Sequence, residues 1–216
     1  MNDKNHFLNR IDWTLVFILF IFFCISLLAI SSAQTSSYTG INYIPRQVIY
    51  YVILAFIIIF VMCFDMELYR NLTWFLYGFG ILLLVTLIVM PEGKGQIGEV
   101  INGAKSWYHT PLGNIQPAEF MKTFYILACA KAISMHNEKY DLHTLKTDFY
   151  LLIKILGLLV VPFLLILDQP DLGSALVFIA ITIALILVSG ISWLIITALL
   201  ALGTAAGGPG TTRRRS

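Results

Sequence analysis

Charge is what this sequence has least of. Only 12% of its residues are Asp, Glu, Lys or Arg, against roughly 25% in a typical soluble domain. With 58% hydrophobic residues and a mean hydropathy of +0.83, that shortage excludes an ordinary water-soluble fold. The net charge of +2 is too small to support nucleic-acid binding. Cysteine is scarce as well: Cys24, Cys63 and Cys129 lie in separate apolar runs. An odd count at such spacing is neither a disulfide framework nor a metal site, and all three are expected to act as small buried hydrophobes. The four histidines, His6, His109, His136 and His143, do not cluster, so no metal is expected. There is no phosphate-binding glycine loop, no Gly-x-Ser-x-Gly and no His-Glu-x-x-His. Nothing in the chain is a self-evident nucleophile or general base.

What is present is a series of apolar runs near the length of about 20 residues needed to cross a hydrocarbon core. They cover residues 13–33, 47–64, 72–90, 117–134, 151–167 and 174–190, and a seventh starts at 191–205 but falls short. The expected fold is all-α: a polytopic integral membrane protein with six complete transmembrane helices and a partial seventh. Pro117 suits the first turn of its helix, where a missing N–H costs nothing, and Pro162 should kink the fifth span. Ser31-Ser32-Ala33 resembles a signal-peptide cleavage site, but the first run is too long for an ordinary signal sequence.

Orientation follows from Lys and Arg in the loops. Lys4, Arg10, Arg70, Lys131, Lys139, Lys146 and Lys154 fall on one side, and Arg46, Lys94 and Lys105 on the other. Seven against three puts the amino terminus in the cytoplasm. Residues 1–12 are then a cytoplasmic amino terminus and 13–205 an incomplete membrane bundle. Residues 206–216 form a Gly- and Arg-rich tail. Either the last run re-enters the cytoplasmic face or the tail is foreign to the original reading frame; the second is the expectation.

Two polar interruptions break this scaffold, and the topology puts both on the outer face. The first runs from Asn102 to Lys122; its upstream Gly-Lys-Gly-Gln-Ile-Gly stretch has no apolar periodicity and is expected to be mobile. It carries Glu119 and Lys122 into the fourth span, although a charge inside a membrane costs roughly 2.5–3.5 kcal/mol on insertion scales. Three residues apart, they share a helix face. They could be a local ion pair, or the charged wall of a cavity for an anionic head group, with Lys122 meeting a phosphate and Glu119 orienting it. The second interruption is Asp168-Gln-Pro-Asp-Leu-Gly173. Asp171 could cap the sixth helix, point into the same cavity, or do both; Asp168 reads as interfacial. Trp107 and Tyr108 could be interface anchors, and Arg46 could meet lipid phosphate or join the cavity.

Three segments carry a resemblance: Gly103-Ala-Lys-Ser-Trp107, Gln116-Pro-Ala-Glu-Phe-Met-Lys122 and Gln169-Pro-Asp-Leu-Gly173. In that order and in those loops they resemble the signatures of the SEDS family, the RodA, FtsW and SpoVE group of bacterial cell-wall proteins. The form Asn102-Gly-Ala-Lys-Ser-Trp107 looks more like RodA than FtsW. The resemblance covers roughly residues 10–200 and names no cofactor. It implies a peptidoglycan glycosyltransferase of the plasma membrane that polymerises lipid II, an undecaprenyl-pyrophosphate disaccharide-pentapeptide, for cell elongation beside a class B penicillin-binding protein. It also implies that Glu119, Lys122 and Asp171 line an outer cavity, with Trp107 and Gln116 beside it. The family's catalytic aspartate follows the seventh span, beyond residue 216, so a truncated and inactive chain is expected. A lipid-precursor flippase and a non-catalytic scaffold are the competing expectations.

Overall fold

A computed structural model of the chain describes residues 12–35, 43–90, 104–110, 113–140, 144–195 and 197. Asn102, Gly103, the 93–98 stretch, His6, His143, Lys4, Arg10 and the tail lie outside the described residues. The chain forms two compact units, residues 1–65 and 66–216.

The first unit is a helical hairpin. Helix α1 spans Trp13–Thr35 and α2 spans Ile44–Met62. Asp12 starts α1, its Oδ1 accepting from the Thr14 N–H (2.9 Å), as a capping carboxylate does. Pro45 sits in the first turn of α2, where its fixed φ is already helical. The helices run antiparallel: Gln47 Nε2 donates to Ser26 Oγ (3.1 Å), and the Phe23 and Tyr51 rings meet edge to face at 4.7 Å. Neither helix has a polar face, and no residue of α2 is buried. Such all-round apolarity suits lipid or neighbouring helices. Cys24 and Cys63 correct an expectation here: both thiols lie on the hairpin's exposed surface, and only Cys129 is buried. A hairpin of two helices has little interior, so burial in an apolar run does not follow.

The second unit holds α3 (Met66–Val89), α4 (Pro117–Lys139), α5 (Leu145–Asp168) and α6 (Leu172–Val188). A small antiparallel pair, β1 (Tyr108–Thr110) and β2 (Gly113–Ile115), precedes α4, with Tyr108 opposite Ile115. The helices overrun the apolar stretches that predict them. Residues 65–71, between the second and third apolar runs, are mostly the first turns of α3, and residues 135–150, between the fourth and fifth, divide between the end of α4 and the start of α5. The charges suit those places: Glu67 and Asp148 fall in first turns and Lys139 in a last turn. Each sign complements the helix dipole. Thr144 and Thr147 fix the start of α5, the Thr144 N–H donating to Thr147 Oγ1 (2.9 Å).

Close approach of α3 to α4 rests on Gly80. A Cβ there would collide with Met121 Sδ and lie 2.9 Å from a Phe124 ring carbon. Leu84, Met121, Tyr125, Leu151, Ile155, Ile166 and Phe178 form the core. Inside it the Tyr125 hydroxyl pairs with Thr182 Oγ1 (2.7 Å), joining α4 to α6. Helix α5 runs through Pro162 without a break. A proline has no N–H, so the carbonyl of Leu158, four residues earlier, loses its helical donor. The Tyr77 hydroxyl of α3 donates to that same Leu158 oxygen at 2.7 Å. An unpaired carbonyl within a membrane costs several kcal/mol, and a neighbouring helix supplies the remedy.

The two ends of the unit differ. At one, Arg70 meets Glu138 (3.3 Å), Lys131 Nζ donates to the Arg70 carbonyl (2.6 Å) and Asn137 donates to the Ser189 carbonyl (3.3 Å). Asp148, wholly buried, accepts the Ser192 N–H at 2.9 Å. Gly190, at φ 87°, turns the chain out of α6, a position where glycine avoids the left-handed steric penalty. The opposite end gathers both polar interruptions.

α1, α2, α3 and α5 are long and apolar enough to cross a membrane. α6 has 17 residues, about 26 Å at 1.5 Å per residue, and α4 carries Glu119, Lys122 and Lys131. The contacts from Arg70–Glu138 through Gly80–Met121 nevertheless run α4 along the length of α3. The chain is an all-α, multi-pass membrane protein.

Candidate functional site

The site is built from the end of α3, the β1–β2 hairpin and the starts of α4 and α6. Lys105 ties the returning chain down: its Nζ donates to the carbonyls of Ile88 (3.0 Å) and Met90. A cation on the last carbonyls of a helix meets the negative end of its dipole. Tyr108 adds a second tie, its hydroxyl donating to the Leu83 carbonyl (2.7 Å) and lying 2.6 Å from Thr86 Oγ1. From α5, the buried Gln169 donates to the Leu84 carbonyl at 3.1 Å. Tyr108 is therefore a structural bolt as well as a candidate interface ring.

The two interruptions meet directly. Gln116, just before Pro117, donates through Nε2 to Asp171 Oδ2 (2.7 Å) and reaches Ser174 Oγ (3.2 Å). Asp171 is also the N-cap of α6: Oδ1 accepts the Ser174 N–H (3.0 Å) and Oδ2 accepts the Ser174 hydroxyl (2.8 Å). One carboxylate thus starts α6 and holds the start of α4 beside it. Both of its oxygens are engaged by protein donors.

Glu119 and Lys122 lie on the next turn of α4. They form an ion pair at 2.6 Å, with the Lys122 side chain 18% exposed and Glu119 56% exposed. Lys122 has three donors, and one is directed at Glu119. Among the described residues no hydrogen bond or ion pair joins Lys122 to Asp171; the link between them is α4 itself, through Gln116. Trp107 is half-buried in the segment leading to the hairpin, beside the buried Ser106. Asp168 is exposed.

A cleft of about 340 Å3 opens next to this cluster, between α3, α4 and the hairpin. Its walls include Phe79, Leu83, Tyr108, Ile115, Phe120 and Phe124, and it carries none of the charged residues. The arrangement offers an ammonium oriented by a carboxylate, a rigid amide–carboxylate bridge and a neighbouring apolar cleft. Sequence reasoning misses Gln169, Ser174 and the Tyr108–Leu83 tie. Gln169 stands inside a motif, but an amide that bonds a mid-helix carbonyl leaves no periodic signal.

The chain matches the family of FtsW, RodA and SpoVE, described as cell cycle protein, over residues 8–207. It belongs to that family. It is 32% identical over 199 residues to the probable peptidoglycan glycosyltransferase FtsW of Pasteurella multocida, covering 89% of this chain and 47% of that protein. The crystal structure of the rod shape determining protein RodA of Thermus thermophilus superposes with a TM-score of 0.68 at 28% identity, over 91% of this chain and 60% of that one. A peptidoglycan synthase complex, described as coordinating polymerization and crosslinking, contains a chain with a TM-score of 0.69 and 27% identity, over 91% of this chain and 53% of that one. The chain spans about half the length of the curated relative it matches.

Proposed function

We propose that this chain is the lipid-donor-holding part of a peptidoglycan glycosyltransferase that polymerises lipid II at the outer face of the plasma membrane. The observation that carries this reading is the Gln116–Asp171–Ser174 bridge beside the Lys122–Glu119 pair. Separated polar segments converge at one end of the bundle. A departing pyrophosphate needs positive charge where its own charge develops; Lys122 supplies it, and Glu119 holds the ammonium in place. Gln116 and Asp171 fix the start of α4, and so the position of Lys122. Trp107 borders the same end.

In this reading α1–α6 all cross the membrane, the amino terminus is cytoplasmic and the Lys122 end faces outward. The Asn102-Gly-Ala-Lys-Ser-Trp107 form supports a role in elongation, and the relationship to a synthase complex supports a class B penicillin-binding protein as partner. The test is a chimera in which residues 10–195 replace the matching part of a curated relative. It should polymerise lipid II in vesicles, and Lys122→Ala should abolish polymer while leaving membrane insertion intact. Undiminished polymer from Lys122→Ala would remove the phosphate role. Restoration of shape in RodA-depleted cells, and not of septation in FtsW-depleted cells, is the expected outcome for an elongation protein.

A further inference from the structure

Helix α4 presents a surface that suits lipid poorly. The other helices of its unit expose large apolar side chains: Phe75 and Leu82 on α3, Ile153 and Leu164 on α5, Leu176 and Leu187 on α6. The exposed stripe of α4 is Glu119, Thr123, Ile126, Ala130, Ser134 and Asn137. Steps of three or four residues keep these on one face, and only Ile126 is large and apolar. Among the described residues the Thr123 hydroxyl has no hydrogen-bond partner, and lipid offers none. A narrow face of small and hydrogen-bonding residues is the kind on which a second membrane helix packs.

The chain itself leads a segment to that face. Asn137, at the end of the stripe away from Glu119, donates to the Ser189 carbonyl (3.3 Å), so the chain leaves α6 beside that end. Asp148 then accepts the Ser192 N–H (2.9 Å). The Ile195 N–H donates to the Ser192 carbonyl (3.0 Å) and the Thr197 hydroxyl to the Leu194 carbonyl (3.1 Å), as at the start of a helix. Ile191 and Ile195 pack on the core, whereas Trp193 is exposed. Continued at helical spacing, the core-side face holds Ala198, Leu202 and Ala205, and the opposite face holds Leu200.

Length fits as well. The apolar run that begins at Ile191 gives way after Ala205 to Gly-Gly-Pro-Gly. A helix from Ser192 to Ala205 rises about 20 Å, and α4 from Asn137 back to Thr123 covers about 21 Å. We propose that residues 192–205 form a short helix seated antiparallel on the exposed stripe of α4. Ala198 comes level with Ala130, and Ala205 with Thr123; small residues on both sides let the two backbones approach closely. The seat ends at Thr123 and leaves Glu119, one turn further on, uncovered. Packing alone carries this proposal, so it stands if the glycosyltransferase reading fails.

The test is disulfide trapping in the 216-residue chain in membrane vesicles, with mass spectrometry of the digested protein to identify the joined peptides. Ala130→Cys with Ala198→Cys, and Thr123→Cys with Ala205→Cys, should each join on mild oxidation. Ala130→Cys with Leu200→Cys, on the opposite face of the run, should not. Nor should Ile153→Cys with Ala198→Cys, which probes the exposed face of α5 at the same depth. Ala130→Trp, with bulk placed in the seat, should lower the Thr123–Ala205 yield several-fold, whereas Gly157→Trp, at an open position on α5, should leave it unchanged. Joining at Ile153 in place of the stripe pairs, equal yields from Ala198→Cys and Leu200→Cys, or no disulfide from either stripe pair would overturn the seat. So would full joining in the presence of Ala130→Trp.

Discussion

Tyr77→Phe removes one oxygen atom and nothing else, and the structure says which group should suffer. Pro162 leaves the Leu158 carbonyl without its helical donor, and the Tyr77 hydroxyl meets that oxygen at 2.7 Å. A carbonyl stripped of its partner inside a protein costs about 1–3 kcal/mol. Interhelical bonds in membranes have averaged nearer 0.6 kcal/mol, with a maximum of about 1.7. The expected loss is therefore about 1–1.5 kcal/mol. The sharper forecast concerns the pair. Pro162→Ala returns an N–H to residue 162, so Leu158 regains an intrahelical donor, and Tyr77→Phe in that background should cost less than about 0.5 kcal/mol. Reversible unfolding in mixed micelles, with far-ultraviolet circular dichroism as the signal, would measure all four corners of the cycle. Equal cost with and without the proline would refute the reasoning, leaving the Tyr77 bond incidental to it.

Four further outcomes follow from the packing and pairing. Gly80→Ala should destabilise the second unit by about 1–3 kcal/mol, because its new methyl meets buried Met121 and the neighbouring Phe124 ring. Gly78→Ala, with nothing within 4 Å of its Cβ, should stay within about 0.5 kcal/mol in the same unfolding assay. Asp148→Ala leaves the Ser192 N–H without its acceptor and should cost about 1–3 kcal/mol; faster proteolysis near residue 190 would report the loosened turn. Breaking the Arg70–Glu138 pair, with both side chains more than half exposed, should cost under about 1 kcal/mol and less at high salt.

Helix existence is legible in the sequence because apolar runs of membrane length admit few other structures. Helix ends are not. The first turns of α3 and the last of α4 are charged and emerge from the apolar pattern, yet they stay helical because backbone bonding continues beyond it. The meeting of the two polar interruptions follows from counting Lys and Arg in the loops, and the Gln116–Asp171 bond realises it. The manner of that meeting is out of reach. Asp171 reads as a cap or a cavity wall, whereas its second oxygen is held by Gln116, a residue 55 positions away. Tyr77 is invisible for the same reason: its partner is a backbone carbonyl that becomes special only through Pro162. Cys24 and Cys63 show the opposite error, where an apolar neighbourhood implies burial although a two-helix hairpin has little interior.

Asp171 is where structural and chemical roles can be separated. Asp171→Asn keeps an acceptor for the Ser174 N–H, now received at 3.0 Å, and asparagine is as good a cap as aspartate. The new amide nitrogen would then face Gln116 Nε2, donor against donor. Gln116 can relieve this by turning its own amide, so that its oxygen accepts from the substituted side chain. The bridge survives with its polarity reversed, and only the charge is lost. Stability should therefore fall by less than about 1 kcal/mol, whereas Asp171→Ala, which loses cap and bridge together, should cost about 1–2 kcal/mol. In the chimera, lipid II polymerisation by the Asp171→Asn protein decides the matter. A loss of polymer at preserved stability means that the negative charge acts on substrate or on its positively charged surroundings. Normal polymer means that holding α4 to α6 is the whole of the residue's work, and the proposed phosphate role of Lys122 then rests on its pairing with Glu119 alone.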